Sequence, residues 1–162
     1  MTRRWVRCVP LILSSVACGL PRDSAGTLDR VRRGSMRVGV VVDTPWTTDS
    51  VGGAGGVEPA LVRSLADSLG TRIEWVRGPE DELLSQLAKR KVDLVIGGLD
   101  AKSPWAQRVA FTRPFYVDTM GQEERQLVMA TAPGENAFFV RVEQMLIDKQ
   151  PEVPRLLRGT RR

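Results

Sequence analysis

The sequence of 162 residues contains no histidine. That removes the commonest general base and the commonest metal ligand. Ser-His-Asp and Cys-His catalysis are excluded with it. Cysteine is nearly absent too, with Cys8 and Cys18 both close to the start. Two such residues cannot build a zinc cluster, and they give the folded part no disulfide framework. With 42% hydrophobic and 27% charged residues, neither a disordered chain nor a multispan membrane protein fits. The apolar stretch Val9 to Ala17 falls well short of the ~20 residues a membrane-spanning helix needs. The net charge is +5, but no basic-aromatic stripe carries it. The basic residues gather between Thr2 and Arg7 and again at Arg155, Arg158, Arg161 and Arg162, so nucleic acid is not an expected partner. No metal and no cofactor is expected.

What is present begins with the parts of a secretory signal over residues 1–18. Arg3, Arg4 and Arg7 form a basic start, an apolar stretch follows, and Ser15-Val16-Ala17-Cys18-Gly19 ends it. The ending resembles a bacterial lipobox, with Ser15 where Leu is usual. Lipid on Cys18 would hold the domain to the outer face of a membrane; the alternative is plain cleavage near Ala17. Residues 19–35 are polar, with Pro21, Gly26 and Gly34, and read as a tether containing a short helix over Thr27 to Arg33.

Residues 36–148 read as one α/β lobe. Met36 to Val42 is a β-branched strand. Gly52, Gly53, Gly55 and Gly56 suggest a hairpin-like loop, since no GK[ST] follows to make a phosphate loop. Glu58 to Leu69 is a helix with Leu61, Leu65 and Leu69 on one face and Gly70 as its stop. Arg72 to Val76 is a second strand, with Trp75 expected in the core. Pro79 to Arg90 is a second helix, acidic in its first turn and basic in its last. Val92 to Ile96 is a buried third strand that Gly97 and Gly98 are expected to end. The β-α-β-α-β order fits right-handed parallel crossovers. Short extended pieces at Val109 to Thr112 and Phe115 to Asp118, a strand at Gln126 to Thr131 and a helix at Glu135 to Asp148 complete the lobe. Residues 149–162 read as a frayed basic tail.

In an open α/β sheet, ligands bind just past the carboxyl ends of parallel strands. That rule makes Trp46, Asp100, Ser103 and Trp105 candidates for ligand binding. An indole serves equally to sandwich a ligand or to pack an interface. Asp100 and Ser103, like Asp43, suit hydrogen bonds to a solute or a turn. Glu58 is a further candidate, although its place at a helix start favours a cap. No paired carboxylates are spaced for acid-base catalysis, so no catalytic residue is assigned and no enzyme is expected.

Several motifs occur in an order that resembles the bacterial extracytoplasmic solute-binding proteins of family 3, the polar amino-acid binders of ABC transporters. Met36 to Val42 with Pro45-Trp46 resembles the family's first strand and loop. Gly56-Val57-Glu58-Pro59-Ala60-Leu61 is similar to its Gly-aromatic-acid-x-acid-Leu motif, with Val57 and Ala60 replacing the aromatic and second acid. Asp93-Leu94-Val95-Ile96-Gly97-Gly98 and Phe111-Thr112-Arg113-Pro114-Phe115 resemble its third strand and Phe-Ser/Thr-x-Pro-Tyr segment. The resemblance implies a type II periplasmic-binding-protein-like lobe: a three-layer α/β/α unit with a mostly parallel sheet and a returning antiparallel strand. Family members build a second lobe after the Pro-Tyr segment; here Thr119 to Arg125 suffices for a turn. Where the family places an arginine that grips the ligand carboxylate, this chain has Trp105, with Arg108 shifted nearby. The implied function is a lipid-anchored, extracytoplasmic binder of a small polar solute, with an ABC permease or a second copy covering the open face. The alternative is an interaction module of the same fold that docks to a membrane complex without a ligand.

Overall fold

The computed structural model describes residues 22–121 and 123–160. Cys8, Cys18 and the expected signal lie outside the described residues. In chain order the elements are α1 (Thr27–Arg33), β1 (Ser35–Val40), β2 (Thr48–Ser50), β3 (Gly53–Gly55), α2 (Val57–Leu69) and β4 (Arg72–Arg77). Then follow α3 (Glu80–Ala88), β5 (Leu94–Asp100), β6 (Ala110–Phe111), β7 (Tyr116–Asp118), β8 (Arg125–Thr131), α4 (Asn136–Lys149) and α5 (Val153–Thr160).

The sheet runs β4-β1-β5-β8, with β6 and β7 both pairing to the far edge of β8. β4, β1 and β5 are parallel, and β8 returns antiparallel. The two-strand hairpin β2-β3 stands apart, as the glycine cluster led one to expect. Alternation along the strands divides the core in two. Met36, Val38, Leu94, Ile96, Leu127 and Met129 pack with α2, α4 and α5 on one face. Val95, Leu99, Val128 and Ala130 meet Leu83, Leu84 and Leu87 of α3 on the other. The result is the expected three-layer α/β/α arrangement.

Four local expectations are corrected. β5 does not stop at its glycines but runs through them to Asp100. Between the Val95–Ala130 and Leu99–Val128 pairs, β5 takes four steps while β8 takes two. This bulge requires Gly97 at φ 136° and Gly98 at φ 65°. A Cβ on Gly97 would lie 2.3 Å from the Val41 carbonyl oxygen, so backbone contact forbids any side chain there. Residues 22–35 are packed rather than free: Asp23 bridges to Glu135, and Thr27 and Val31 of α1 are buried. The tail is likewise structured to residue 160, because Val153 and Leu157 of α5 enter the core. Trp75 is half-buried at the rim of the core, beside the Arg63 guanidinium at 5.6 Å.

Candidate functional site

The carboxyl ends of β1 and β5 and the start of β8 meet at one edge of the sheet, because β8 runs opposite to β5. The loop after β1 is closed by reciprocal backbone bonds between Asp43 and Thr47, and it buries Trp46 completely. The indole sits against Phe115 and Tyr116, with ring centroids 6.4 and 5.1 Å away. Its Nε1 donates to Asp118 Oδ2 at 2.9 Å. Trp46 therefore offers no exposed face to a solute, and the packing alternative describes it.

Glu58 is also fully buried. It makes no helix cap. Its carboxyl accepts instead from the Gly97 amide at 2.5 Å and the Gly98 amide at 3.1 Å. Those are the amides that the bulge turns out of the ladder, and leaving them bare would cost about 1–3 kcal/mol each. Burial pushes the Glu58 carboxyl up to about 7, with nearby Asp43 adding to the rise and the two amides and Arg125 opposing it. Glu58 shapes the floor of the edge rather than its surface.

The remaining candidates are partly exposed. Asp100 Oδ1 accepts from the Lys102 amide at 3.0 Å, and its carbonyl accepts from the Ser103 amide at 2.9 Å. Ser103 caps a 3-10 turn over Pro104–Gln107 through the Trp105 amide at 3.5 Å. Its hydroxyl lies near Glu80 at the start of α3 and acts to lower that carboxyl. Trp105 Nε1 donates to Asp81 Oδ1 at 2.8 Å, and the Arg108 guanidinium lies 4.8 Å from its ring. Partial burial and the neighbouring charges of Asp81 and Asp43 raise the Glu80 carboxyl above the usual range. Asp43, Glu80, Asp81, Ser103 and Trp105 thus form one acidic, aromatic rim.

Arg125 and Asp118 were not singled out from the sequence. Arg125 Nη1 donates to Asp43 Oδ2 at 3.0 Å and to the Gly98 carbonyl at 3.3 Å, while Nη2 donates to Asp118 Oδ2 at 2.8 Å. Asp118 is raised by burial, but the Met120 amide, Arg125 and Trp46 outweigh that and leave it below the ordinary carboxylate range. A signal for the pair existed. Opposite charges flank a short turn, and they face each other in the β7-β8 register. Among the described residues, no group of three carboxylates or thiols could hold a metal ion, and no helix is long and apolar enough to cross a membrane.

A helix-covered sheet with a returning strand and a polar rim at the strand carboxyl ends defines a binding-protein-like α/β unit. The match of residues 36–131 to the bacterial extracellular solute-binding proteins, family 3, places the chain in that family, to which it belongs. No curated protein matches the sequence. Solved structures share the fold. The arginine-bound form of domain 1 from TmArgBP is 23% identical with a TM-score of 0.64, over 74% of this chain and 95% of that one. An ancestral cationic amino acid solute-binding protein is 15% identical with a TM-score of 0.70, over 82% and 98%. A Salmonella typhimurium periplasmic binding protein of high arginine specificity is 11% identical with a TM-score of 0.65, over 76% and 97%.

Proposed function

We propose that this chain is an extracytoplasmic, non-catalytic solute-binding protein of one lobe, held to a membrane by lipid on Cys18. It binds a small amine-bearing solute, an amino acid or a relative, at the carboxyl edge of the sheet. Trp105, Ser103 and Asp100 contact the solute together with Asp43, Glu80 and Asp81, while Glu58 and Trp46 support them from below. The acidic rim around Trp105 carries this reading: burial and like charges raise Glu80, and a cation placed among those charges would relieve their repulsion. The family match and the cationic-amino-acid binders that share the fold support it. An ABC permease or a second copy is the partner for the face that a second lobe would otherwise cover.

A thermal melt of the protein against millimolar arginine, lysine, simple amines and small carboxylates tests the ligand. A cation at a hundred times its dissociation constant adds about 2.7 kcal/mol. Stabilisation by carboxylates alone would refute the amine assignment. The anchor is tested by fractionation: the protein should leave the membrane pellet when Cys18→Ser is introduced, and a soluble wild-type protein would refute lipidation.

One observation favours the interaction reading. Val117 and Met120 are 45% and 44% exposed at the β7 turn, beside a groove of about 290 Å³ lined by Pro114, Phe115, Tyr116, Val117, Gln150 and Pro154. A cooperative melt that no solute shifts would transfer the weight to that face.

A further inference from the structure

The guanidinium of Arg125 is gripped by acceptors from three separate segments: the loop after β1, the bulge of β5 and the end of β7. Each acceptor is also positioned by bonds that do not involve Arg125. Asp118 is 2% exposed, and its two oxygens accept from Trp46 Nε1 and the Met120 amide, each at 2.9 Å. The Asp43 amide is bound by the Thr47 hydroxyl at 2.8 Å and carbonyl at 3.1 Å. Gly98 is held by Glu58 at 3.1 Å. A Cβ at Gly98 would collide with Asp43 Oδ2 at 1.7 Å, so the backbone and the carboxylate approach closely because this residue lacks a side chain. Arg125 itself remains 36% exposed along its side chain, so its end of the contact borders solvent.

We propose that Asp43, Asp118 and the Gly98 carbonyl form a guanidinium receptor at the ligand edge, which the chain fills with its own Arg125. The occupant is an internal one. Tethering gives a neighbouring group an effective concentration in the millimolar range or above, so free alkylguanidinium at ordinary concentrations loses to it. Removing Arg125 exposes two carboxylates and a carbonyl already aimed at a planar fork of N–H donors. An ammonium cannot reproduce that geometry, and the receptor therefore distinguishes the two cations. The inference rests on reading this edge as a ligand face. The two separate in the test, because the rim is probed in the wild type and the receptor in the variant.

The experiment compares thermal melts of the wild type and Arg125→Ala with about 10 mM methylguanidinium or methylammonium chloride, at matched ionic strength. The variant should melt lower than the wild type in buffer and rise by about 3 °C or more with methylguanidinium. Methylammonium should shift the variant no more than it shifts the wild type, and methylguanidinium should raise the variant by clearly more than the wild type. Adding Asp43→Asn to Arg125→Ala should abolish the response. If Arg125→Ala gives no cooperative melt in buffer, methylguanidinium should restore one. An equal response to both cations, a response to neither, no restoration, or an equal rise in the wild type each overturns the proposal.

Discussion

Glu58 and Glu135 are both buried, one at each edge of the sheet, and their surroundings push them in opposite directions. Glu58 receives two backbone amides and faces Asp43; burial dominates and drives its carboxyl to about 7. Burial acts on Glu135 too, but its donors outweigh it and hold the carboxyl at about 2. They are the Ser24 hydroxyl at 2.8 Å, the Ala25 amide at 2.9 Å, the Thr27 amide at 3.1 Å and Arg90 Nε at 3.3 Å. Burial raises both carboxyl groups, and the balance between that penalty and the donors each group receives decides its charge. The contrast extends to the edges themselves. At the amino edge, Asp93 is closed off by Arg30 and by Arg37 at 2.7 Å, so charges there pair and join α1 to the sheet. At the carboxyl edge Arg125 pairs with Asp43 and Asp118 beside the glycine bulge, while burial and the nearby charges of Asp81 and Asp43 raise Glu80, so the pairing there is less complete.

Breaking the amino edge should have the larger effect. Glu135→Ala strips the acceptor from three N–H or O–H groups and leaves Arg90 without its carboxylate, a loss of about 3–5 kcal/mol. Chemical denaturation at pH 7 checks the size, and α1 should lose amide-exchange protection before the sheet. Because the folded pKa lies below the ordinary 4.5, Glu135 contributes stability above pH 4.5 that is lost as pH falls through about 2. The gap between wild type and variant should therefore close on acidification. A gap independent of pH would mean that packing, not the ionised carboxylate, holds α1.

The second test sharpens the contrast at Glu58. Its folded pKa lies above 4.5, so its contribution is full below pH 4.5 and is lost as pH rises through about 7. Glu58→Gln keeps one acceptor for the bulge and does not titrate. Wild type should exceed the variant by more at pH 5 than at pH 8, the difference between the two gaps reaching about 2.5 kcal/mol. A gap that instead widens as pH rises would show that the Gly97 and Gly98 amides hold Glu58 ionised.

The site was less legible in the chain than the fold. Trp46 and Trp105 look alike in sequence, each an indole after a strand end. One lies wholly inside, bonded to Asp118, and the other lies at the rim, bonded to Asp81. What separates them is the 72-residue reach from Trp46 to the end of β7, which no local pattern encodes. Glu58 reads as a cap because helix starts attract carboxylates; its partners are 39 and 40 residues away. The order in α5 has the same kind of cause. A short basic stretch around Pro151 and Pro154 reads as frayed, yet Val153 and Leu157 find a hydrophobic shelf beside α2.

Strand and helix order, the glycine hairpin and the family resemblance were all present in the chain alone, because hydrophobic periodicity and turn chemistry act between near neighbours. The continuation of β5 through its glycines, the acidic rim and the capture of Arg125 were settled by the fold. Each depends on groups from distant segments meeting where water is scarce, and there a single donor more or less decides which side chain is charged, which is buried and which stays at the rim.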